Sequence, residues 1–206
     1  MSYNRILKSS LTKCPKYMTS LLIDIYTILN KYPPAKNENK FIYGKVAEAR
    51  IIHWINKIIP CIDLDKSNTY GAEYKNDCEI SFDAIKVKYS IKVSKNGSEP
   101  TLINKRNVSS HTVEDCHFII CHILNKKLYI FKHDETLEPF IKDNHESIKY
   151  KSSIFKYLDR DSCNFYKFPN NERIGIFERT ILPTINESKI YEKLALELES
   201  ENSLYY

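Results

Sequence analysis

Glycine is scarce in this chain, four residues in 206. No P-loop, Rossmann glycine fingerprint or G-x-S-x-G motif is present. No helicase or ATPase signature is present either, which favours a stand-alone enzyme. No apolar run approaches the roughly 18 residues of a membrane span, and no apolar signal segment follows Met1. The expectation is a soluble, intracellular, cytoplasmic protein with no membrane partner. The six cysteines, Cys14, Cys61, Cys78, Cys116, Cys121 and Cys163, include no C-x-x-C pair. They read as reduced and mostly buried thiols. Internal repeats and low-complexity tracts are also absent.

What is present fits one domain over residues 1–206, long enough to bury a core without disulfide staples. The net charge is +5, compatible with a nucleic-acid partner. Its distribution says more. Lys86, Lys88, Lys92, Lys95, Lys105 and Arg106 stand against Glu99 alone between residues 86 and 106. The bland reading is a solvated strand face and loop.

Met18, Leu21, Leu22, Ile25, Ile28, Leu29 and Tyr32 keep helical spacing and predict a helix over 17–32, ended by Pro33-Pro34. A polar loop, Ala35 to Lys40, follows. A second helix is expected from about Tyr43 to Ile59, with Val46, Ile51, Trp54, Ile55 and Ile58 as its stripe and Pro60 as its stop. Glu48 shares a face with Ile52, Ile55 and Ile59. A carboxylate on an inward face needs a partner, a metal or water. The competing reading is a first-turn acid that favours a helix N-terminus.

From Ala72 to Ser94 the pattern alternates. Cys78 to Phe82 and Val87 to Val93 read as strands joined by a turn near Asp83-Ala84. Ser90 and Lys92 point to one side of their strand, and Asp77 on the neighbouring strand brings a carboxylate beside that lysine. The segment from Lys95 to Ser110 reads as a polar, basic loop. Cys116 to Leu124 is an apolar strand, and Leu128 to Lys132 is its hairpin partner across Asn125-Lys126-Lys127. Residues 133–172 look less regular, with basic and aromatic positions interleaved. Ile174 to Phe177 reads as a short strand. Thr184 to Glu187 fits a capping box before a last helix carrying Ile190, Leu194 and Leu198.

The order helix with Glu48, strand with Asp77, strand with Ser90-x-Lys92, basic loop, apolar strand resembles the core of the PD-(D/E)xK nuclease superfamily. The resemblance covers about residues 43–131. It implies an α/β, restriction-endonuclease-like fold: a mixed central sheet flanked by the Glu48 helix and other helices, with an irregular C-terminal region. It also implies a catalytic set of Glu48, Asp77, Ser90 and Lys92 with Mg²⁺ as cofactor, a hard ion that prefers carboxylate, carbonyl and water oxygens. The implied metal-site residues are Asp77, Glu48 and Glu79, with the carbonyl of Ile91 beside Asp77. Lys92 would orient the attacking water and stabilise developing charge. Two positions depart from the family pattern. Asn76 replaces the proline, and Ser90 stands where a second acid is usual. Glu73, Glu79 and Asp83 are nearby substitutes, and Glu79 ranks first because it shares a strand face with Asp77.

Lys95, Asn96, Lys105, Arg106 and Asn107 are the DNA-contact candidates, since these side-chain types bind phosphates and base edges. The expected function is Mg²⁺-dependent cleavage of double-stranded DNA by a type II restriction endonuclease. A homodimer would place one active site on each strand of a palindrome. Residues 133–206 are candidates for base readout or dimer contacts. The alternatives are a structure-specific repair, recombination or mobile-element nuclease, and an inactive nucleic-acid-binding relative. His111, Cys116, His117, Cys121 and His122 are zinc-ligand types, but strand alternation sends neighbours to opposite faces. His122 in an apolar strand reads as a satisfied core or partner-facing residue.

Overall fold

The computed structural model describes residues 2–31, 37–64, 76–94, 99–104, 113, 116–123, 125–176 and 179. Three helices lead the chain: α1 (Tyr3–Thr12), α2 (Pro15–Lys31) and α3 (Asn37–Asn56). Sequence reading anticipated α2 and α3 but not α1, which buries only Leu7 and Leu11. α2 opens on Pro15, whose fixed φ and missing N–H suit a first helical position. Its predicted stripe is buried at Met18, Leu21, Leu22, Ile25 and Leu29. Trp54 Nε1 donates to Asp24 Oδ2 at 2.7 Å and ties α3 to α2.

α3 begins earlier than its apolar stripe suggests, so the polar loop expected over Ala35 to Lys40 ends inside the helix. Glu48 therefore lies about three turns in, and the first-turn explanation for it is removed. Asn56 closes the helix, its Oδ1 accepting from Cys61 N at 2.9 Å, just beyond Pro60.

Among the described residues nine strands follow: β1 (Cys61–Asp63), β2 (Cys78–Phe82), β3 (Ile85–Ser94), β4 (Thr101–Asn104), β5 (His117–His122), β6 (Lys127–Lys132), β7 (Ile141–Asp143), β8 (Ser147–Tyr150) and β9 (Phe165–Lys167). Six form the main sheet in the order β1-β2-β3-β5-β6-β9. Its neighbours are antiparallel except for β3 and β5, which run parallel. The β2–β3 turn falls at Asp83-Ala84 as expected, with Asp83 at φ 53°, a conformation that aspartate tolerates. The β5–β6 turn uses Lys126 at φ 49°.

Both faces of the sheet are covered. Cys78, Ile80, Tyr89, Ile91, Ile119 and Cys121 pack under α1, α2 and α3. Phe118, Ile120, Tyr129 and Phe131 pack on the other side with Leu137, Ile148, Tyr150, Phe155 and Leu158. This is why Phe118 to His122 of β5 are all buried rather than alternating. Each such side chain contributes roughly 1.5–3 kcal/mol of burial. The mixed α/β class and the mixed central sheet thus match expectation.

The second face differs from the plain helical layer expected. A three-stranded antiparallel sheet in the order β4-β8-β7 joins a 3₁₀ helix, Glu135–Phe140, and a short helix α4 (Ser153–Leu158). Residues 133–172, read as irregular, hold β7, β8, the 3₁₀ helix, α4 and β9. The basic loop after β3 contains β4 at its middle. Parallel strands need a long crossover, and this one donates a strand to the smaller sheet. The strand expected at Ile174 to Phe177 is corrected. Residues 172–176 are helical because Asn171 Oδ1 caps the turn, accepting from Ile174 N at 3.0 Å. The last predicted helix, from Thr184, lies outside the described residues. No helix among those described is long and apolar enough to cross a membrane.

Candidate functional site

Asp77 stands where β2 stops pairing with β3. The ladder's last pair is Cys78 with Tyr89, and Asp77 N still donates to Tyr89 O at 2.9 Å. Beyond it the carboxylate replaces the missing strand partner. Asp77 Oδ2 accepts from Ile91 N at 2.6 Å, from Ser90 Oγ at 3.1 Å and from Lys92 Nζ at 3.3 Å. Three donors thus converge on one oxygen, and none of these bonds uses Oδ1. The residue is 9% exposed, so a backbone N–H, a hydroxyl and an ammonium together compensate its charge. The Ile91 amide is a site component that residue types alone did not show. Its only sequence signal is its place between Ser90 and Lys92.

Glu48 belongs to the same electrostatic unit. Burial, the Asp77 charge beside it, and weaker offsets from Lys92 and Lys45 leave its carboxyl pushed up to about 7. Lys45 Nζ lies 3.3 Å from Oε2, an attraction one turn back on the helix. Apart from that ammonium, Oε2 is buried without a hydrogen-bond partner. A proton or a second cation would offset the remaining cost of its burial.

The direction of the Glu48 shift has a measurable consequence. A folded-state value above the usual 4.5 means that the native protein holds this proton after the unfolded chain has released it. The associated stability is complete below about pH 4.5 and is lost as pH rises through about 7. Glu48→Gln is therefore expected to raise the melting temperature by several degrees at pH 8, roughly 1–3 kcal/mol, and to change little near pH 4.5. Melting curves of both proteins across pH check this. Parallel pH profiles would show that Glu48 does not titrate in the folded state as described.

The structure brings Glu48, Asp77, Ser90 and Lys92 together, and it separates Glu79 from them. Glu79 Oε1 forms an ion pair with Lys86 Nζ at 3.0 Å. Among the described residues, no group of three or more His, Cys, Asp and Glu side chains is placed to hold a metal ion. Of the predicted acids, Asp77 and Glu48 share one charge environment. Glu73 lies outside the described residues, and Asp83 occupies the exposed turn. All five DNA-contact candidates, Lys95, Asn96, Lys105, Arg106 and Asn107, lie outside the described residues as well.

Of the rival histidines and cysteines, His111 lies outside the described residues. The six cysteines are free thiols, with Cys61, Cys78 and Cys121 buried and the others half-buried. His122 is 3% exposed. Its Nδ1 accepts from Asn125 N at 3.2 Å, and burial lowers its pKa. That is a satisfied core histidine.

Comparison with known families, with curated proteins and with solved structures returns no match for this chain.

Proposed function

We propose that the chain is a Mg²⁺-dependent DNA endonuclease with a restriction-endonuclease-like core, of the type II restriction class. The observation that carries the reading is a strand-end aspartate in contact with a lysine on the next strand, with an inward helix glutamate in the same charge environment. The buried Glu48 Oε2, met only by the Lys45 ammonium at 3.3 Å, fits a divalent cation, and the three donors to Asp77 all fall on Oδ2. Mg²⁺ sites commonly use only one or two carboxylates and complete their shell with waters and substrate phosphate. Asp77 and Glu48 would therefore suffice, and the missing acid at position 90 and the distant pairing of Glu79 cease to be obstacles.

When bound, Mg²⁺ would acidify a water and neutralise phosphate charge. The chain's own residues supply the rest. Lys92 places an ammonium beside Asp77, where it can orient a water nucleophile and oppose the negative charge that develops on the phosphorane oxygens. Ser90, which stands where a second acid is usual, donates to Asp77 Oδ2. With the Ile91 amide it fixes the carboxylate's rotamer, which leaves Lys92 free to exchange Asp77 for a phosphate. The basic segment after β3 would grip the DNA backbone, and a two-fold dimer would cut both strands of a palindrome.

The test is incubation of the intact protein with supercoiled plasmid and Mg²⁺. Discrete linear fragments are the expected outcome. Cleavage restricted to branched or nicked substrates would move the function to repair or recombination. Binding without cleavage, in Mg²⁺ or Mn²⁺, would overturn the enzyme reading.

A further inference from the structure

A second concave region lies apart from Asp77. The first turn of α1, the end of β6 and the segment 157–164 enclose a cleft of about 680 Å³. That is within the range of roughly 300–1,000 Å³ usual for small-molecule sites. None of Glu48, Asp77, Ser90 and Lys92 lines it.

The lining is basic and aromatic. Arg5, Lys132 and Arg160 contribute cations, against the carboxylates of Asp134 and Asp161. Both carboxylates are committed to caps. Asp134 Oδ1 accepts from Thr136 N at 2.9 Å, and Asp161 Oδ1 accepts from Cys163 N at 2.8 Å. The caps leave both carboxylates charged, so the lining carries three cations against two anions, and each acid has a carboxylate oxygen turned toward its own backbone. Tyr157 lines the same space, with the Arg160 guanidinium 5.6 Å above its ring and Phe140 packed against it at 5.0 Å. Asn4 Oδ1 accepts from Tyr89 OH at 2.9 Å and faces His117 Nδ1 at 3.3 Å, which leaves Nδ2 as its donor.

A ligand that satisfies such a cleft carries an anion for the guanidinium groups and a flat ring for the aromatic wall, with an edge that can accept from an amide. We propose that this cleft is a binding site for a nucleoside 5′-phosphate, either a free nucleotide or the terminal nucleotide of a strand. The proposal does not depend on cleavage at Asp77. The sheet does relate the two places: Ser90, Phe118 and Phe131 are register partners across β3, β5 and β6. At 4.7–4.9 Å per strand, Phe131 of the cleft lies about 10 Å from Ser90.

Equilibrium dialysis of the intact protein in EDTA against each of the four deoxynucleoside 5′-monophosphates tests this. The nucleotides are expected to bind at least about tenfold more tightly than inorganic phosphate or the unphosphorylated nucleosides, because both halves of the ligand are recognised. Arg160→Gln is expected to weaken binding by about tenfold or more, whereas Asp77→Asn leaves it unchanged. A 5′-phosphorylated single-stranded oligonucleotide that competes would identify a strand end as the source, and failure to compete would identify free nucleotide. Equal binding of phosphate and nucleotide, or of nucleoside and nucleotide, would overturn the assignment. So would absence of binding at millimolar ligand. These comparisons use the unaltered protein, so they hold even if Arg160→Gln does not fold.

Discussion

Asp77→Asn is expected to abolish Mg²⁺-dependent plasmid cleavage, a loss of about 10³-fold or more, while the protein stays folded. The argument is local. Asparagine retains a carbonyl oxygen that can accept from Ile91 N, the shortest of the three bonds at this position (2.6 Å). The backbone at the β2 end therefore remains satisfied. What disappears is the negative charge, and with it both the cation's ligand and the counter-charge of Lys92. Asp77→Ala should differ from Asn in stability rather than in activity. It strands the buried Ile91 N–H and the Ser90 hydroxyl, at a cost of roughly 1–3 kcal/mol for each buried unsatisfied group. Initial cleavage rates and melting temperatures for the two variants separate these effects. An Asn variant that cuts at the rate of the unaltered protein would place the chemistry elsewhere.

The second large effect is expected at Lys92. Lys92→Met keeps most of the side chain's length and apolar stem but removes the ammonium that lies 3.3 Å from Asp77 Oδ2. Cleavage should fall by about 10²–10³-fold. Divalent-ion binding should hold or tighten, because the ammonium that competes for Asp77 and partly offsets Glu48 is gone. The same change should raise the Glu48 pKa further, since Lys92 is one of the charges that lower it. Mn²⁺ titration monitored by electron paramagnetic resonance, beside the plasmid assay, gives both readings. Loss of metal binding together with cleavage would mean that Lys92 maintains the site's shape rather than acting on the substrate. Normal cleavage would remove Lys92 from the mechanism.

Periodicity located α2, β2, β3, β5 and β6 because each buries a regular set of apolar side chains. Met18, Leu21, Leu22, Ile25 and Leu29 mark the helix, and Cys78, Ile80 and Phe82 mark the strand. Periodicity failed where burial was slight or where a polar side chain made the decision. α1 buries two leucines in ten residues and has no side-chain cap. At 172–176 the Asn171 cap outweighed an apolar run short enough to fit either state. β7, β8 and β9 are three or four residues long, too brief for alternation to show.

The sequence alone determined which residue types could do chemistry here and their order: an acid on a helix, an acid at a strand start, and a lysine two residues after Ser90 on the next strand. These follow from local spacing, which fixes the face of a helix or strand on which each side chain falls. Only the tertiary structure decided which carboxylates share one charge environment. Glu48 joins Asp77 because α3 packs across the sheet and buries the glutamate beside Asp77, where desolvation and like charge both act on it. Glu79, though two residues from Asp77, is drawn instead to Lys86 across the hairpin. Charges interact according to distance and solvent exposure, and neither follows from separation along the chain.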